Sequence, residues 1–124
     1  MEAGRAGRRR ERVHEMALTE SIVEIAVEAA KKQGAARVAR VFVEIGELSC
    51  VEPAALQFCF AAVAAGTLAE GASLEIERIA GAGWCADCRK LTPLTERFGL
   101  CPDCGQSVRM TAGGEMKVRE MEIA

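Results

Sequence analysis

From about Ala17 the apolar residues recur at three- and four-residue steps, and Leu18, Ile22, Ile25, Ala26 and Ala29 form one stripe. That spacing predicts a helix with one buried face. Glu20, Glu24 and Glu28 precede Lys31 and Lys32, an order that complements the helix dipole, and Gly34 offers the stop. The period then drops to two. Between Arg37 and Ser49, Val41, Val43 and Ile45 alternate with Phe42 and Glu44, the pattern of a strand with two unlike faces. Pro53 suits the first turn of a second helix, in which Leu56, Cys59, Phe60 and Val63 share a face and Gly66 follows the end.

Ser73–Ile79 reads as a further strand, with Leu74 and Ile76 set against Glu75 and Glu77, and Gly81 and Gly83 break it. After a cysteine-rich stretch, Gly113 and Gly114 precede a last strand over Glu115–Ile123. Its alternation slips at Arg119–Glu120, which predicts a bulge or a strand half-covered on both faces. The order helix, strand, helix, strand, insert, strand predicts an α+β fold: a small three-stranded sheet with two helices, interrupted by an inserted four-cysteine zinc-ribbon-like domain. The expected limits are 13–81 plus 114–124 for the α+β domain and 82–113 for the insert. Residues 1–12, rich in Gly, Arg and Glu without periodicity, are expected to be a disordered basic extension outside the fold.

Composition narrows the function. Half of the 124 residues are apolar but only 4% are aromatic, so burial relies on small aliphatic side chains and a second source of stability is expected. The net charge of −2 divides into a local +3 over residues 1–12 and −5 over the rest, which gives the body no general attraction for nucleic acid or anionic lipid. No apolar run is long enough to span a bilayer, and the basic start lacks a secretory h-region, so a cytoplasmic protein with no membrane partner is expected. With one histidine, no tyrosine and no triad or phosphate-loop pattern, the chain is not expected to be an enzyme. Cys50 and Cys59 then read as core thiols, because no further histidine is present to activate them.

In a reducing compartment cysteines serve as ligands or free thiols rather than disulfides. Cys85-Ala-Asp-Cys88, twelve residues, then Cys101-Pro-Asp-Cys104 is ligand spacing. Each pair lets one tight turn aim two sulfurs at one ion, and two turns complete a tetrahedral thiolate shell that selects Zn²⁺. The gap leaves room for a compact hairpin between the knuckles. Gly105 supplies a positive φ after the second knuckle, where the first has Arg89. Four thiolates around Zn²⁺ leave −2, which Arg89, Lys90, Arg97 and Arg109 offset. A full sulfur shell has no open position, so the zinc is read as structural; an iron centre or a redox dithiol is the alternative.

His14, the single histidine, stands at a helix start, where such a residue is ordinarily solvated. Its context is distinctive. The string Val13-His14-Glu15-Met16-Ala17-Leu18-Thr19-Glu20-Ser21-Ile22, then Val43-Glu44-Ile45-Gly46-Glu47-Leu48, then the double CxxC, resembles the HypA/HybF hydrogenase nickel-incorporation family from Val13 to the end of the chain. The resemblance implies a nickel metallochaperone that delivers Ni(II) for maturation of [NiFe] hydrogenase. It also implies an α+β nickel-binding domain carrying the zinc domain, and as partners a HypB-type GTPase and the hydrogenase large subunit. An exposed strand edge leaves pairing into a homodimer open.

The family's nickel ligands lie at its Met-His-Glu start and map to Val13, His14 and Glu15: an amino terminus, two backbone nitrogens and an imidazole. Planar nitrogen donors suit Ni(II). The Glu15 side chain itself is read three ways, as a ligand, as a partner orienting His14, or as a charge on the helix dipole. This sequence departs from the pattern, with twelve residues ahead of a valine where the family has its first methionine. An internal Val13 has no free amine. The expectation is that residues 1–12 are a mis-called extension and that translation starts at Val13, read as methionine. The rival from another class is a zinc-ribbon nucleic-acid-binding or interaction module without nickel, for which Trp84 and Phe98 are the stacking groups of the insert.

Overall fold

The structure, a computed structural model, describes residues 2–124, with side chains from His14 onward. Its elements are α1 (Glu2–Lys32), β1 (Val38–Gly46), α2 (Pro53–Ala64), β2 (Ser73–Ile79), β3 (Ala82–Cys85), β4 (Lys90–Pro93), β5 (Arg109–Ala112) and β6 (Met116–Ile123). They form two three-stranded sheets, in the orders β2-β1-β6 and β4-β3-β5. The α+β class, with two helices, a small sheet and a cysteine-bearing insert, is the one that the periodicities predict.

Two compact units result: one of residues 1–43, 51–76 and 118–124, the other of residues 44–50 and 77–117. The second unit therefore reaches beyond the cysteine-rich stretch into the ends of β1, β2 and β6. Glycines allow this. A Cβ on Gly46 would lie 2.1 Å from the Gly113 carbonyl oxygen, and one on Gly113 would lie 2.6 Å from the Gly81 Cα, so three backbone segments pass at a distance only glycine permits.

In the first unit α1 packs on α2. Its buried face is Glu15, Thr19, Ile22, Val23, Ala26 and Ala30. Ile25, placed in the stripe by hydrophobicity, is 52% exposed, because the face is centred on a line that begins with two polar residues. Helical backbone also begins at Glu2 rather than near Ala17. Ala, Arg and Glu are good helix formers, and extending a nucleated helix needs no hydrophobic periodicity. Gly34, at φ +68°, ends α1: its N–H donates to the Lys31 carbonyl and that of Ala35 to Ala30, the Schellman pattern.

Val38, Val41, Val43 and Ile45 of β1 are buried. Arg37 and Ala124 exchange both backbone hydrogen bonds, so β6 runs antiparallel to β1. β2 lies on the other side, and bonds from Val38 N–H to the Leu68 carbonyl and from Glu47 N–H to Ile79 advance in step along both segments. β1 and β2 are therefore parallel, with α2 as the crossover that such a pair requires. Along β6, Arg119 and Glu120 are both exposed between the half-buried Val118 and Met121, which is where the sequence pattern slips. Among the described residues no helix is long and apolar enough to cross a membrane.

Candidate metal centre

β3 and β4 form an antiparallel hairpin in which Cys85 pairs with Lys90. The hairpin thus turns at the first cysteine knuckle itself, and the gap between the knuckles holds its second strand, β4. The two knuckles repeat one geometry: Arg89 N–H donates to the Cys85 carbonyl and Gly105 N–H to the Cys101 carbonyl, each at 2.8 Å. Both closing residues are left-handed, Gly105 at φ +75° and Arg89 at φ +54°. The first knuckle adopts this backbone in spite of the Cβ on Arg89, which costs about 1–2 kcal/mol.

All four sulfurs, of Cys85, Cys88, Cys101 and Cys104, lie within 4.8 Å of one another, with Cys85 to Cys104 at 3.5 Å and Cys88 to Cys101 at 3.9 Å. Tetrahedral sulfurs bound to zinc at about 2.3 Å stand about 3.8 Å apart, between those two separations. The donors thus fit an ion such as zinc. Among the described residues no other cluster of His, Cys, Asp or Glu has ligand geometry.

The thiols are not equivalent. N–H groups of Cys104 and Asp103 hold Cys101 down to about 7, whereas a hydrogen bond to Cys104, then burial and bonds to Cys85 and Cys101, push Cys88 up to about 12. One sulfur is thus held toward its thiolate form and another toward its thiol. Lys90 and Asp103 form an ion pair that joins the two knuckles from outside.

Behind the sulfurs, Cys85 and Cys101 are buried in a small core with Leu94, Val108 and Leu48. Leu48 belongs to the Val43–Leu48 string, which lies in the 13–81 stretch expected to form the α+β domain. Nothing in its pattern signals that it serves the cysteines.

His14 and Glu15 lie on α1 in the first unit; Val13 is helical, and its side chain is outside the described residues. His14 is exposed, whereas Glu15 is 1% exposed and its Oε2 accepts the Glu52 N–H at 2.9 Å. Glu52 in turn caps α2 by accepting from Ala54 N–H. Sequence reasoning singled out Glu15 and missed Glu52, since a contact 37 residues away leaves no local signal. Of the other cysteines, Cys59 is half-buried, but Cys50 is exposed at φ +62°, so the expected core role fails for Cys50: the left-handed turn after β1 points it outward.

Fold and site define a small α+β protein whose four grouped cysteines can hold a metal ion through sulfur alone. Residues 13–123 match the family described as "Hydrogenase/urease nickel incorporation, metallochaperone, hypA". The hydrogenase maturation factor HypA of Rhizobium leguminosarum bv. viciae is 56% identical over 112 residues, covering 90% of this chain and 99% of the relative. That of Dechloromonas aromatica is 48% identical over the same share. In three dimensions the chain is similar to the solution structure of the nickel metallochaperone HypA from Helicobacter pylori, with a TM-score of 0.64 and 27% identity over 88% of this chain and 96% of that one. A second solution structure, of a HypA protein, gives a TM-score of 0.70 at 29% identity over 90% and 97%. This chain belongs to the HypA family, whose members are metallochaperones and not enzymes.

Proposed function

We propose that the protein carries Ni(II) for maturation of [NiFe] hydrogenase and holds Zn²⁺ through Cys85, Cys88, Cys101 and Cys104 as a structural ion. The observation that carries the reading is the family match, which begins at Val13 and takes in His14 and all four cysteines. The similar relatives are named for hydrogenase, which favours that client over urease. Nickel would be held in the α+β part, 13–81 plus 114–124, and zinc in 82–113. A HypB-type GTPase and the hydrogenase large subunit are the partners of this scheme, pairing into a homodimer is compatible with it, and the thiol chemistry suits the reducing cytoplasm.

The nickel donors proposed are the backbone nitrogens of Val13, His14 and Glu15 and the His14 imidazole. Helix geometry decides when they are free. In α1 running from Glu2, the N–H groups of these residues are bonded to carbonyls one turn earlier. In a form whose first residue is position 13, they belong to the first four N–H groups of the helix, which have no intrahelical partner. Residue 13 then also contributes an amine. We therefore place the working site in that form.

The test is nickel titration of the full chain and of a form starting with methionine at position 13, each with and without His14→Ala. Tight, His14-dependent binding in the shorter form alone is the expected result. Equal binding by the His14→Ala variant of the shorter form would overturn the nickel reading.

A further inference from the structure

Among the described side chains of α1, Glu15 is the one acidic group that is buried, and its neighbour His14 is exposed. Successive helix residues project about 100° apart, so the two leave the backbone in different directions. The inward direction continues through Thr19, Ile22, Ala26 and Ala30, all at 0% exposure. Thr19 adds polar closure, with Oγ1 donating to the Glu15 and Met16 carbonyls at 3.1 and 2.8 Å.

A carboxylate buried this deeply needs a partner of opposite polarity. The partner here is the backbone of another helix: Glu15 Oε2 accepts the N–H of Glu52, the N-cap of α2. The first turn of α2 contains no acidic residue of its own. Glu15 adds its carboxylate from α1 to that of the N-cap Glu52, at the end of the helix where the α2 dipole favours acidic groups. The carboxylate thereby ties the Glu15 turn of α1 to the start of α2, directly beside the residue that carries the imidazole.

We infer that Glu15 is a positioning residue for nickel: its side chain does not ligate the metal but, by accepting the Glu52 amide, holds the 13–15 backbone in place for the donors. The inference rests on the proposed nickel reading. It assigns a role to one atom, Oε2, and so separates the three uses of this side chain that sequence leaves open. Removing such an orienting bond lowers metal affinity by roughly 10–100-fold, whereas a group that can still accept the bond should preserve most of it.

The experiment uses the form starting at position 13 and Ni²⁺ as the probe, with Glu15→Gln, Glu15→Ala and His14→Ala. Affinity, the visible absorption of planar Ni(II), and the Glu52 amide resonance in a two-dimensional NMR spectrum are read together. A glutamine carbonyl can accept the same N–H, so Glu15→Gln is expected to bind within about 3-fold of the parent, with the planar spectrum and the Glu52 amide shift retained. Glu15→Ala is expected to shift the Glu52 amide and weaken binding by about 10-fold or more with the planar spectrum unchanged. Loss of the planar spectrum in Glu15→Gln while the Glu52 amide stays in place would show the carboxylate to be a ligand and overturn the inference. So would full affinity in Glu15→Ala. Indifference to His14→Ala is a different result, which removes the nickel reading itself. Should the alanine variant fail to fold, the glutamine variant alone still decides between ligand and anchor.

Discussion

Gly46 closes β1 where the second unit's segments converge, and among the described glycines it is the one where an added methyl would meet the closest backbone contact. The new Cβ would sit 2.1 Å from the Gly113 carbonyl oxygen, 2.2 Å from its carbonyl carbon and 2.7 Å from its Cα. All three are backbone atoms, so no side-chain rotation relieves the overlap. The segments must part by about 1 Å or more before repulsion subsides. Two hydrogen bonds flank the contact, Gly46 N–H to the Glu115 carbonyl at 2.9 Å and Leu48 N–H to the Gly113 carbonyl at 2.8 Å. Each contributes about 0.5–1.5 kcal/mol net, and overpacking adds about 1–3 kcal/mol, so Gly46→Ala should destabilise by about 2–6 kcal/mol. That is a large part of the ~5–15 kcal/mol typical of a domain. Leu48, two residues on, packs with Cys85 and Cys101, so zinc retention should fall as well. Urea denaturation followed by circular dichroism and by the single tryptophan, Trp84, measures both effects. Gly34→Ala is the control: at φ +68° with nothing within 4 Å of its Cβ, it meets only the backbone penalty of about 1 kcal/mol. Equal losses of about 1 kcal/mol or less in both variants would refute the close-packing argument.

Chelation of the bound metal should unfold the second unit while the α1 and α2 circular-dichroism signal persists, because the cysteine core is small; Trp84, adjacent to Cys85, reports the step by fluorescence. In the metal-free protein Cys101 is lowered to about 7 from 9.0, so its ionisation stabilises the fold above pH 9 and that contribution is lost as pH falls through about 7. Cys88, at about 12, keeps its proton throughout this range, so metal uptake should release protons and weaken as pH falls from 8 to 6, measured by competition with a chromophoric chelator. Gly105→Ala should destabilise the cysteine unit by about 1 kcal/mol and Arg89→Gly should leave it unchanged or slightly more stable, since both positions are left-handed and the Gly105 Cβ would meet nothing; thermal unfolding of the zinc form checks the pair.

Chain-local features of this protein were legible without coordinates. The two helices, the β1 and β2 strands and the glycine stop at Gly34 each depend on a few neighbouring residues whose periodicity or backbone freedom is written in the chain. The cysteine quartet was legible for the same reason: a knuckle is a turn of a few residues, and two of them specify four ligands before any folding is considered. Ile25 shows where local pattern misleads. Hydrophobicity places it on the buried stripe, but the face of α1 is set by what lies opposite, and that face begins with Glu15 and Thr19.

Long-range partners needed the folded chain. Glu15 finds its acceptor role at Glu52, 37 residues away, and a carboxylate at a helix start looks the same on paper whether it caps, ligates or anchors. Leu48 leaves β1 to complete the core behind the thiols, and Gly46, Gly81 and Gly113 are meaningful only because three distant segments cross there. Burial and backbone proximity are properties of pairs of positions, whereas periodicity and ligand spacing are properties of one stretch of chain. That distinction separates the elements and the four sulfurs, readable from residue order, from the anchoring of the His14 segment, which arises when α1 and α2 pack.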